Sequence, residues 1–166
     1  MNPMAPVAAS PPRSGIRIGA NTAKANNQGA TEIGLRTSAK VKHAAADFHF
    51  SSRMLIQRRT SDAERAKATA LYFKKAFNLE SDSLFINKSL YDFQGKNVLR
   101  VIKELNDSFN VVMIVGHNHA FTSIVNMLGD AIIKDLPTCG FIHIEFAIEH
   151  WKFANYGQTK NIIFPR

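Results

Sequence analysis

Two short stretches hold most of the chemistry available to this chain. The first is Val115-Gly116-His117-Asn118-His119-Ala120, at the end of the apolar run Val111 to Val115. A run with no polar alternation predicts a strand covered on both faces, as at the centre of a parallel sheet. Phe121, Ile124, Val125 and Leu128 then recur at helical spacing, and Gly129 closes the pattern. His117 and Asn118 therefore stand where a strand hands over to a helix. Open α/β sheets bind ligands beyond the carboxyl ends of their strands. Free backbone N–H groups and the positive end of the helix dipole suit a phosphate there. A lone histidine is more often structural than catalytic, so the position alone does not decide its role. His117 and His119 also form an H-x-H pair that could ligate zinc, but no third ligand stands at a matching site.

The second stretch is Ser61-Asp62-Ala63-Glu64-Arg65-Ala66-Lys67-Ala68-Thr69. Ala63, Ala66, Ala70, Phe73 and Phe77 fall on one helix face. Ser61 or Asp62 can cap that helix, with Glu64 three residues after Ser61. Arg65 and Thr69 are four apart and share a face. A guanidinium can grip two phosphate oxygens at once. The plainer alternative is a solvent-exposed arginine on an amphipathic helix.

Other elements must hold these stretches in place. Ser83 to Asn87 reads as extended, and Val98, Ile102 and Leu105 mark a helix ending near Asp107. Phe141 to Ala147 alternates around Ile142, Ile144 and Phe146, as a strand does, and Asn161 to Phe164 is a short last strand. Helices alternating with strands predict an α/β domain. His143 and His150 read as packing or surface residues.

Charge and composition divide the chain. Its 166 residues suit one domain, and the net charge is +8. Residues 1–60 hold nine Lys or Arg against Glu32 and Asp47, whereas residues 61–166 are nearly balanced. No aromatic residue precedes Phe48, and residues 1–46 show no sustained period of 2 or 3.6. Residues 1–53 therefore read as a basic segment of low order, and residues 54–166 as the α/β domain. A basic arm can bind nucleic acid, but no aromatic residues are interleaved for base stacking. The single Cys139 excludes an intrachain disulfide and fits a reducing, cytoplasmic setting. No run of about 18 apolar residues spans a membrane. The N-terminus lacks the apolar core of a secretory leader, although its basic character leaves a transit peptide open.

Five motifs in order resemble the SixA-type phosphohistidine phosphatases. They are Ser61-Asp-Ala-Glu-Arg65-Ala-Lys-Ala-Thr69, Leu90-Tyr91, Gly116-His117-Asn118, Leu136-Pro137-Thr138-Cys139-Gly140 and Trp151. The match runs over residues 60–166. It implies a three-layer, phosphoglycerate-mutase-like α/β sheet with helices on both faces. It also implies a hydrolase that removes a phosphoryl group from a phosphohistidine or a small phosphoester, with no metal or other cofactor. Arg65 would hold the phosphoryl oxygens, with Asn118 beside them, and His117 would stabilise charge developing on them. Asp92 matches the place where relatives in the wider superfamily carry a proton donor, or it simply opens the turn at Gly95. The partner would be a phosphorylated protein or small phosphoester.

The chain departs from that pattern at its start. The family nucleophile is a histidine in an R-H-A or R-H-G motif ending the first strand, and neither string occurs. The nearest, Val41-Lys42-His43-Ala44, lies too close to Ser61 to leave room for a loop and a helix. Pro12 to Arg17 faintly resembles part of the family's first helix. The first-strand region accordingly reads as missing or altered. Two alternatives follow: a degenerate, non-catalytic member that binds phosphate, and a nucleic-acid-binding protein using its basic arm. A salt titration separates the second, because counterion release gives a steep slope.

Overall fold

In a computed structural model of the chain, the described residues are 16–20, 55–58, 70–71, 74, 84–90, 92, 94–116 and 118–164. Six strands form one sheet: β1 (Ile16–Ala20), β2 (Leu55–Arg58), β3 (Leu84–Ile86), β4 (Val112–Gly116), β5 (Phe141–Glu145) and β6 (Gln158–Ile163), in the order β3-β2-β4-β1-β5-β6. The first four are mutually parallel, whereas β5 runs antiparallel to β1, and β6 antiparallel to β5. Two helices are described from end to end, α1 (Lys96–Lys103) and α2 (Asn118–Leu128).

The first strand is present. Ile16–Ala20 lies between β4 and β5, so of the two expectations for this region, missing or altered, only alteration stands. These five residues fall inside the segment expected to have low order. The sheet therefore draws on chain from both sides of residue 53. They are also strand, not part of a first helix as the resemblance at Pro12 to Arg17 would have it. Ile16-Arg17-Ile18-Gly19-Ala20 holds only two large apolar residues, too few for a visible period. Its pairing comes from neighbours on both sides. The rest of residues 1–53, including His43, lies outside the described residues.

The later elements match their sequence patterns. All five residues of β4 are buried, as the unbroken apolar run requires of a strand covered on both faces. Helix α2 buries Ala120, Phe121, Ile124, Val125 and Leu128, which is the expected stripe. Gly129 donates its N–H to the Val125 carbonyl at 2.8 Å. Helix α1 buries Val98, Val101 and Ile102. Of the helix expected over residues 63–77, Ala70, Leu71 and Lys74 are described and are helical, with Ala70 buried and Leu71 exposed. Trp151 is a core pin. Its ring packs edge-on against Phe146, its Nε1–H donates to the Phe109 carbonyl at 2.8 Å, and its backbone N–H donates to Asp107 at 2.8 Å. His150 meets the other oxygen of Asp107 at 2.9 Å in the open, while His143 is buried on β5. Among the described residues, no helix is long and apolar enough to cross a membrane.

Candidate functional site

The parallel strands end level with one another. Ala20 of β1 is opposite Gly116 of β4, and Arg58 of β2 is opposite Val115 of β4 and Ile86 of β3. From β1 the chain goes on to β2 on one side of the sheet, and from β4 it goes on to β5 on the other. The strand order thus reverses between the neighbours β1 and β4, which makes a topological switch point. In open α/β sheets, ligands bind in the crevice that such a reversal opens beyond the carboxyl ends.

Several described groups gather at this end of the sheet. Helix α2 begins at Asn118, two residues past β4, with Asn118 half-buried and His119 exposed. Gly116 makes that handover possible by close approach. A Cβ there would lie 2.9 Å from Cζ of the buried Phe121 ring. The segment Leu136 to Gly140 lies beside the start of α2, because the Leu136 N–H donates to Thr122 Oγ1 at 3.0 Å. A turn follows, closed by the Gly140 N–H to the Pro137 carbonyl at 2.8 Å, with Cys139 left-handed at φ 58°. Burial pushes the Cys139 thiol pKa up, so the thiol stays protonated near neutrality.

Asp92 lies on the loop between β3 and α1, at the same end. Its Oδ1 accepts the Gln94 N–H at 2.9 Å and its Oδ2 accepts the Asn97 N–H at 2.6 Å. Gly95, at φ 85°, takes the left-handed conformation that the turn into α1 needs, and a Cβ there would meet Ile124 at 3.0 Å and the Ala120 carbonyl at 3.2 Å. Burial raises the pKa of Asp92, but hydrogen bonds from the backbone of Gln94, Asn97, Val98 and Gly95 outweigh it, so the net shift is downward. A general acid near neutral pH needs the opposite shift. These bonds are the ones expected of the turn opener, and the one to Asn97 also satisfies a free N–H in the first turn of α1.

The sign of that shift sets a pH dependence. A carboxylate with a depressed folded pKa contributes stability that is present above its unfolded pKa and lost as pH falls through its folded pKa. Acid unfolding should therefore show stability falling as pH drops through and below the ordinary carboxylate range. Asp92→Asn should be less stable than wild type at pH 7, and the gap should close at pH 2–3. A gap independent of pH, measured by urea unfolding at both values, would show that the Asp92 carboxylate does not carry this stability.

Arg65 and His117 lie outside the described residues, so the structure describes only the elements that lead to them. Arg65 follows the end of β2 by seven residues, and His117 follows β4 directly. Thr122 escaped sequence reading, because its partner Leu136 is 14 residues further on and carries no motif for a hydroxyl acceptor.

This arrangement defines a three-layer α/β fold of the phosphoglycerate mutase type. More narrowly, the chain has the SixA-type histidine phosphatase fold. It is similar to a protein from Agrobacterium tumefaciens assigned as phosphohistidine phosphatase SixA, with a TM-score of 0.62, 17% identity, and coverage of 93% of this chain and 99% of that one. A second neighbour is the protein histidine phosphatase SixA complexed with tungstate, with a TM-score of 0.60, 12% identity, and coverage of 90% and 96%. A third is phosphoglycerate mutase from Plasmodium falciparum, with a TM-score of 0.56, 17% identity, and coverage of 89% and 88%. No protein-family model matches the chain, and no curated protein matches it by sequence. The structural likeness covers far more than residues 60–166, to which the sequence motifs had confined it.

Proposed function

We propose that this chain binds the phosphoryl group of a phosphohistidine or small phosphoester at the carboxyl ends of β1 and β4, and that it does not turn this group over by the covalent route. One observation carries the reading. The central strand β1 ends at Ala20, opposite Gly116, and the residues that follow these two in the sequence are Asn21 and His117. The histidine of Gly116-His117-Asn118 is retained, whereas the neighbouring strand leads into Ala20-Asn21-Thr22 instead of R-H-A or R-H-G. A carboxamide can donate a hydrogen bond to a phosphoryl oxygen, but its nitrogen lone pair is delocalised and does not attack phosphorus.

The switch point and the N-terminus of α2 support anion binding at this end. The neighbour bound to tungstate, a tetrahedral oxyanion, fits the same reading. Phosphohistidine and simple phosphoesters present the same terminal phosphoryl oxygens, so both remain within the proposed class.

Orthovanadate titration followed by calorimetry tests it. Wild type should bind vanadate. Arg65→Ala and His117→Ala should each weaken binding by at least about tenfold, the scale of a lost charge-assisted hydrogen bond. His43→Ala should bind like wild type. Absence of vanadate binding in the folded wild-type chain would overturn the reading.

A further inference from the structure

We infer that Thr122 is the positioning residue that ties the Leu136–Gly140 segment to the first turn of α2, so that an oxyanion bound there holds the segment more tightly. The inference rests on the anion-binding reading of α2 and adds a residue to it.

The geometry is specific. The Thr122 hydroxyl donates its one proton to the Asn118 carbonyl at 2.9 Å. Its oxygen then accepts the Leu136 N–H at 3.0 Å. A single hydroxyl thus bridges the first residue of α2 and the residue that opens the Pro137-Thr138-Cys139-Gly140 turn. Rigid groups hold both ends of the bridge. Leu136 is fully buried, and Gly140 is tight against the Leu136 side chain and the Pro137 carbonyl. On the helix side, Ala120 and Phe121 are fully buried. The turn therefore cannot shift without straining either the core or the Thr122 bridge.

This matters for binding because backbone N–H groups at a helix start act on an anion only when they are already aimed. An ordinary back-bonded threonine only satisfies its own helix. Thr122 also fixes a second segment, one that is brought to the site end of the sheet by long-range folding. Linkage is reciprocal: if the bridge favours the anion-binding geometry, a bound anion must favour the bridge.

Thr122→Val keeps the shape and removes the hydroxyl, while Thr122→Ser restores it. Vanadate affinity should fall about threefold to tenfold in Thr122→Val and recover in Thr122→Ser. Circular dichroism and thermal melts verify that each variant is folded when its affinity is read. Amide hydrogen exchange supplies the readout that a merely structural role would not move. Vanadate should slow exchange at Leu136 and Gly140 in wild type and in Thr122→Ser, but not in Thr122→Val. Equal affinity and equal slowing in folded Thr122→Val would overturn the inference and leave the anion site standing. If wild type fails to bind vanadate, the anion site falls and takes the inference with it.

Discussion

Purified wild-type chain is expected to hydrolyse p-nitrophenyl phosphate and phosphohistidine no faster than its own His117→Ala variant. Covalent phosphoryl transfer needs a nucleophile that can accept phosphorus and leave again. Beyond β1 the chain offers Asn21, whose amide cannot do this. His117 cannot supply both functions, since one imidazole cannot attack phosphorus and at the same time stabilise the phosphoryl oxygens. The informative variant rebuilds the missing motif, with Ala20→Arg, Asn21→His and Thr22→Ala together. It should gain turnover of at least about tenfold over wild type, and the gain should vanish on adding His117→Ala or Arg65→Ala. Such non-additive loss is the signature of residues that act as a unit. Robust wild-type activity abolished by His43→Ala would make His43 the nucleophile. Wild-type activity lost only in His117→Ala would mean that water or another group attacks. Either result would defeat the assignment of a non-catalytic site.

The elements around the site differ in how far they could be read from sequence. Strand β4 and helix α2 were legible because each carries enough buried apolar residues to show its pattern: the unbroken run Val112 to Val115 in β4, and the stripe of Ala120, Phe121, Ile124, Val125 and Leu128 in α2. Strand β1 was not legible. Its five residues include one arginine and one glycine, and its place depends on β4 and β5, about 100 and 120 residues away in the chain. With no R-H-A or R-H-G to mark it, the first-strand region reads as missing or altered, and the sequence motifs carry the resemblance only over residues 60–166. Asp92 shows a different limit. Sequence spacing allowed either a proton donor or a residue that opens the Gly95 turn, and only the fold shows the backbone N–H groups of Gln94 and Asn97 on its two oxygens. Trp151 and Asp107 illustrate long-range closure. They are joined by a 2.8 Å bond across a separation of 44 residues, which no local pattern reports.

The second large effect concerns the seat of α2. Phe121 is fully buried, and its ring supplies the three atoms nearest to a Cβ built on Gly116, at 2.9, 3.3 and 3.5 Å. Phe121→Ala should cost about 3–5 kcal/mol, through lost burial and the cavity left behind. Gly116→Ala should cost about 1–3 kcal/mol for the opposite reason, because the added methyl overlaps a ring held by the core. The two sites share one volume, so their effects should not add. In the Phe121→Ala background the methyl at position 116 enters space that the ring has vacated, and the second substitution should then be close to neutral. A coupling of at least about 1 kcal/mol in a double-mutant cycle, measured by urea unfolding, is the expected result. Additive costs would mean that the ring does not set the approach of β4 to α2. Because His117 joins these two elements directly, Gly116→Ala should also weaken vanadate binding while the protein remains folded. Adding Phe121→Ala should restore part of that affinity even though it lowers total stability. Affinity and stability moving in opposite directions would separate the positioning of the strand-to-helix junction from the general strength of the core.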